Sequence, residues 1–111
     1  MIDITASERN GIYVFALGGR IDTLNAFEVD RVLRGAVLKG KRNVVLDMTD
    51  VSYINSSGSR TLADVLNKVR ARGGDLKLAV LNKKVMRVFQ IIGFDKVFSL
   101  YDTVEMAVAG F

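Results

Sequence analysis

Asn43 to Met48 holds three apolar residues in succession, Val44, Val45 and Leu46. A strand wetted on one side alternates apolar and polar positions, so an unbroken run marks a central strand covered on both faces. The rest of the chain supplies its neighbours. Ile2, Ile4 and Ala6 alternate with polar residues as in a half-buried strand, and after the turn Glu8-Arg9-Asn10-Gly11 the segment Ile12 to Leu17 makes its hairpin partner. Gly18-Gly19 ends that strand. A helix follows, with Asn25 as N-cap, Glu28 three residues on as in a capping box, and Val29, Val32, Leu33, Ala36 and Val37 on one face. A second helix runs from about Ser57 to Arg72, with Leu62, Val65, Leu66 and Val69 as its core stripe, Arg60, Asp64, Lys68 and Arg72 toward water, and Gly73-Gly74 as its stop. Leu76 to Leu81 reads as a strand. Asn82 opens a short helix whose Val85, Val88, Phe89 and Ile92 point inward and which Gly93 closes; Asp102 and Glu105 begin a last helix packed through Val104 and Ala107. Strand-helix-strand alternation implies parallel neighbours joined by right-handed crossovers, beside one antiparallel pair. The expected class is α/β, a mixed sheet of about four or five strands with about four helices against it.

The chain has 111 residues, half of them apolar, which suits one core, and a single domain over residues 1–111 is expected. No apolar run nears the about eighteen residues of a membrane span, and Asp3 follows Met1 almost at once, unlike the basic start of a secretory signal. A cytoplasmic location with no membrane contact is the expectation. Cysteine is absent, which removes disulfides and thiolate sites; histidine is absent too. Without an imidazole there is no Ser-His-Asp relay, no histidine acid/base step and almost no zinc site, so neither an enzyme nor a metal or cofactor is expected. The net charge of +4 permits anionic partners. Its carriers are dispersed, with Lys39, Lys41 and Arg42 at one turn, Arg70 and Arg72 at another, and Lys83, Lys84 and Arg87 at a third, and no aromatic residues are interleaved for base stacking. Direct nucleic-acid binding is not expected.

Three motifs remain. Gly35 to Lys41 has the spacing of a phosphate-binding loop, but Arg42 stands where the magnesium-binding Ser or Thr belongs, and the segment leaves a helix for a strand rather than the reverse. It reads as a helix C-terminus. Gly18-Gly19-Arg20-Ile21-Asp22 reads as a strand exit in which Asp22 or Thr23 makes a local turn bond. Asn55-Ser56-Ser57-Gly58 lies between a buried strand and a helix, where open α/β sheets present their binding groups. No nucleophile-elbow pattern is met there and no base exists to activate a serine. One N-cap residue would suffice for the helix. Ser56, Ser57 and Ser59 exceed that need and form an accessible site for a kinase. A phosphate would add about −1.5 to −2 charges, which a helix N-terminus tolerates and a docked carboxylate or apolar surface does not.

At these residues the sequence resembles the STAS family, and within it the bacterial anti-sigma factor antagonists. Leu46 to Leu62, LDMTDVSYINSSGSRTL, is similar to the family's L-D-L-x-x-V-x-x-x-D-S-S-G-L-G signature, and Gly19-Arg20-Ile21-Asp22 to its weaker G-x-L-D segment. The resemblance covers essentially the whole chain and implies a STAS-like α/β domain acting as a non-enzymatic switch. In such a switch the unphosphorylated antagonist sequesters an anti-sigma factor that is also a GHKL-type serine kinase. That kinase inactivates the antagonist by phosphorylating the second serine, and a PP2C-type serine phosphatase resets it. Carried over by position, Ser57 is the phosphorylation site with Ser56 as a secondary one, and Asp22, Asn55, Ser56, Gly58, Ser59 and Arg60 form the partner-binding surface. Two departures stand out: Asn55 replaces the acidic residue, and Ser59-Arg60 replaces Leu-Gly. Arg60 is placed to hold a phosphate on Ser57 from three residues along the helix. The competing expectation is a non-phosphorylated scaffold or partner-switching module with a non-transcriptional output, and a small-molecule sensor ranks last.

Overall fold

Asn10 and Gly11 both adopt positive φ, 52° and 79°, as the two central residues of a type I′ turn must. They close a hairpin in which β1 (Asp3–Arg9) runs antiparallel to β2 (Ile12–Ile21), with Arg9 opposite Ile12 and Asp3 opposite Gly18. The computed structural model describes residues 2–111. It continues with α1 (Thr23–Leu38), β3 (Asn43–Ile54), α2 (Ser56–Ala71), β4 (Asp75–Ala79), α3 (Lys83–Ile92), a 3-10 turn (Phe94–Lys96), β5 (Ser99–Tyr101) and α4 (Val104–Ala109). From β2 onward every pairing is parallel, in the order β1-β2-β3-β4-β5. The chain thus forms the mixed α/β sheet that its pattern predicts.

Alternate residues of the central strands go to opposite faces. Phe15 and Leu17 of β2, Val44 and Leu46 of β3, and Leu76 and Leu78 of β4 join the buried sides of α1, α2 and α3 in the larger core. Ile12, Val14, Val45 and Ala79 point the other way, where α4 covers them with Val104 and Ala107. The unbroken run Val44-Val45-Leu46 is buried throughout, as a two-sided strand demands. One cation enters the smaller layer. Lys77 of β4 is buried, and its Nζ donates to the Gly110 carbonyl at 2.7 Å and the Tyr101 hydroxyl at 2.9 Å. The Phe111 ring lies 4.5 Å from the same nitrogen. These acceptors offset the loss of water around a buried ammonium.

Several boundaries differ from the sequence reading. Gly18-Gly19 does not end β2. The strand continues to Ile21, with shifts of register between Ala16 and Gly18 and between Gly19 and Arg20, and Gly19 has a φ of 111°. The glycines serve bulges rather than a stop. β3 likewise runs past Met48 to Ile54, paired with β2 all the way. The cap of α1 is Asp22, not Asn25: the Asp22 Oδ1 accepts from the Asn25 N–H at 2.9 Å. Asn25 lies inside the first turn, and its side-chain amide donates to the Arg20 carbonyl at 2.7 Å. β4 stops at Ala79, short of Leu81, because Val80 turns the chain at a φ of 62°. Thr103, not Asp102, caps α4, accepting from the Met106 N–H at 3.1 Å. β5 has three residues, too few to show an alternation, and the sequence pattern does not place it.

Candidate functional site

β2 and β3 run side by side to Ile21 and Ile54, and each then feeds a helix. The N-termini of α1 and α2 therefore emerge together at the carboxyl ends of parallel strands, the end where open α/β sheets bind. Asn55 ties the two together. Its N–H donates to the Ile21 carbonyl at 3.2 Å, its side-chain oxygen accepts from the Gly58 N–H at 2.8 Å, and its side-chain amide donates to the Thr23 hydroxyl at 3.2 Å. It is the cap of α2 and a strut to the first turn of α1. A carboxylate would cap equally well but has no N–H for Thr23.

The next four residues divide into two kinds. A Cβ on Gly58 would lie 2.4 Å from the Ile21 carbonyl oxygen and 2.8 Å from Ile21 Cγ2, so α2 reaches the end of β2 only because this position is glycine. Ser59 is 0 % exposed, and its hydroxyl donates to the Asn55 carbonyl at 3.0 Å. Both are supports beneath the surface, which corrects the expectation that Gly58 and Ser59 meet a partner and that three hydroxyls are accessible. Ser56 and Ser57 are exposed, and so is Arg60. Among the described residues Arg60 joins none of the ion pairs. The first turn of α2 holds no acidic residue, so the positive end of the helix is not offset by a charge of its own. Asp22 is only partly exposed and its carboxylate is engaged as the cap of α1.

Ser57 opens onto a groove of about 310 Å³ between α1 and α2, whose walls include Phe27, Asp30, Arg34, Thr61 and Asp64. Asp30 and Arg34 are paired at 2.8 Å. Two largely exposed apolar side chains of α1 are ones that the motifs do not single out: Phe27, at 72 % exposure, lines the groove, and Leu24, at 77 %, lies three residues before it on the same helix. Both lie off the buried stripe Ala26-Val29-Leu33 of α1, and that offset is the sequence signal for them. On the β2–β3 side the Arg20 guanidinium sits 4.1 Å from the centre of the Tyr53 ring. Among the described residues no helix is long and apolar enough to cross a membrane.

The fold recurs among known proteins. Residues 3–107 match the family model described as the STAS domain. BtrV of Bordetella bronchiseptica is 34% identical over 108 residues, 97% of this chain and 93% of that one. The anti-sigma-F factor antagonist RsfB of Mycobacterium tuberculosis is 28% identical over 111 residues, covering 98% of this chain and 88% of its own. Among solved structures, an anti-sigma factor antagonist from Mycobacterium paratuberculosis superposes with a TM-score of 0.90 at 24% identity, over 99% of this chain and 93% of that one.

Proposed function

The chain belongs to the STAS family, and from that premise we propose that it is an anti-sigma factor antagonist whose hold on its partner is set by phosphate on Ser57. The observation that carries this reading is the contrast within one turn of α2: Ser59 is sealed in the core while Ser57 stands exposed at the mouth of the groove beside Phe27. The family resemblance names the same serine, and Ser56 is the secondary acceptor.

The unmodified surface offers Leu24 and Phe27 as apolar contacts, with Asn55, Ser56, Arg60 and the exposed edge of Asp22 around them. A partner that packs over Leu24 and Phe27 removes water from Ser57 as well. A phosphate of about −1.5 to −2 charges there must be desolvated for the partner to bind, and binding is lost. The helix itself gains from the charge, since its N-terminus attracts anions. The fold therefore survives modification while the surface changes. The partner in this reading is a cytoplasmic anti-sigma factor that is also a GHKL-type serine kinase, with a PP2C-type phosphatase to reset the site. With no histidine in the chain, no imidazole is available to activate Ser57 for chemistry of its own.

Peptide mass spectrometry of the protein recovered from its own cells, stressed and unstressed, tests the reading. A phosphate on Ser57 that rises and falls with conditions is expected. Its absence from Ser56 and Ser57 in every condition overturns the switch and leaves a constitutive binding module.

A further inference from the structure

β1 is the outer strand of the sheet, and all of its seven residues except Ile4 are exposed. The other edge, β5, has only three residues. Folded proteins blunt long edges with proline, charged side chains and lysine above all, a bulge or a covering element. β1 relies on charge alone, and its Asp3, Glu8 and Arg9 are of both signs, so a partner strand in the right register can pair them rather than be repelled. Its sequence, DITASER, contains neither proline nor lysine, and its pairing with β2 runs from Asp3 to Arg9 without a shift of register.

The two-residue turn decides which backbone groups face outward. Arg9 and Ile12 close the hairpin as a hydrogen-bonded pair, so Asp3, Thr5, Ser7 and Arg9 bond to β2. The N–H and C=O groups of Ile4, Ala6 and Glu8 then point to the free edge. A second strand of the same sequence, laid antiparallel with Ala6 opposite Ala6, meets these groups in phase: Ala6 bonds with Ala6, and Ile4 with Glu8 on either side. In that register Asp3 of each copy faces Arg9 of the other and Thr5 faces Ser7, so opposite charges and paired hydroxyls line the joint. Moving the axis to Glu8 sets two carboxylates against each other, and moving it to Ile4 loses the Asp3–Arg9 pairs. Among the described residues Arg9 has one ion-pair partner within its own chain, Glu105 at 3.7 Å, and both side chains are at least half exposed, which leaves the guanidinium free to turn.

We infer that two copies of this chain pair through β1 about a two-fold axis at Ala6, joining their sheets into one. The interface is isologous and closes on itself, so it yields a dimer rather than a fibre. Asp3 lies opposite Gly18, toward the carboxyl end of β2 where α1 and α2 begin. The two copies run in opposite directions, so their Ser57 sites fall at opposite ends of the joined sheet, clear of the joint. The dimer therefore stands or falls independently of the phosphate switch.

Sedimentation equilibrium of the unphosphorylated chain without any partner, from micromolar to millimolar concentration, is expected to carry the average mass from one chain toward two. Amide exchange should slow at Ile4, Ala6 and Glu8 over the same range. Ala6→Pro removes the central outward N–H without touching the ladder to β2, and Arg9→Asp sets like charges opposite each other; each is expected to hold the mass at one chain. The double exchange Asp3→Arg with Arg9→Asp restores the charge pairs in reverse and is expected to regain the dimer. A wild-type chain still monomeric at millimolar concentration overturns the inference. So does a dimer indifferent to Ala6→Pro, or a double exchange that fails to recover what Arg9→Asp loses.

Discussion

Two helices begin side by side at the carboxyl end of the sheet, and they begin with different chemistry. α1 is capped by the carboxylate of Asp22 and α2 by the neutral amide of Asn55. The positive end of α1 therefore already has its anion, held to the Asn25 N–H. That of α2 has a hydrogen-bond acceptor but no charge, and exposed Ser57 stands in its first turn. The surroundings differ in the same sense. The outer side of α1 shows Leu24 and Phe27, and that of α2 shows hydroxyls and Arg60. In the proposed switch, one helix offers contact area that does not respond to modification, and the other keeps a place for a negative charge. Under that proposal Asn55, a departure from the acidic residue of the family signature, leaves the charge of that helix end to be set by the phosphate.

The most severe way to break this arrangement is to separate α2 from β2. Gly58→Ala drives a Cβ against the Ile21 carbonyl and is expected to lower stability by about 3 kcal/mol in urea unfolding. Next comes charge at the start of α2. Ser57→Asp is expected to weaken partner binding by about tenfold, roughly 1.4 kcal/mol, in titration calorimetry, with the circular dichroism spectrum unchanged, while Ser57→Ala binds like the wild type. Equal affinity for the Asp variant would count against an electrostatic switch. Phe27→Ser should weaken the same complex several-fold yet leave the unfolding midpoint almost unmoved, because the ring is largely exposed in the free chain. Exchanging the cap chemistry sharpens the contrast. Asp22→Asn and Asn55→Asp are expected to shift stability in opposite directions, downward and upward, by roughly 0.5 kcal/mol, with the difference shrinking as salt is added. The smallest effect is at Arg60. Arg60→Leu should leave the unmodified chain as it is and remove about 0.3 kcal/mol of the stabilisation that phosphate on Ser57 confers, measured by melting the phosphorylated forms. If neither phosphorylation nor binding responds, Arg60 is only surface.

Periodicity carried most of the fold because the apolar stripes are long. The stripe Leu62-Val65-Leu66-Val69 and the run Val44-Val45-Leu46 are buried as their spacing requires. Where the reading failed, short-range signals had two meanings. Gly18-Gly19 looks like a stop from its own neighbourhood, and only the presence of β3 alongside turns it into a bulged continuation. Asn25 with Glu28 forms a respectable capping box, yet Asp22 three residues earlier satisfies the same geometry, and the end of β2 at Ile21 settles which is used. At the site, Ser56, Ser57 and Ser59 are alike as residues. Ser59 stands three positions before Leu62, on the inward side of the helix, so its burial was available from the same spacing that identified the core. Phe27 is not legible as part of the site because an exposed apolar residue acquires meaning only beside the serine, which the tertiary fold brings to it.

The buried Lys77 bears on how the chain reaches this fold as it is synthesised. Its ammonium sits in β4, but the acceptors that replace its water belong to Tyr101 and Gly110, far later in the chain. Until those residues have left the ribosome, β4 carries an unpartnered charge on the face that α4 will cover, and that side of the sheet must stay wet. The larger core under α1, α2 and α3 also takes in Phe98 and Leu100 from the same late stretch, but among the described residues it holds no buried cation waiting for them. Sealing of the second face therefore couples the docking of α4 to the withdrawal of a charge from water.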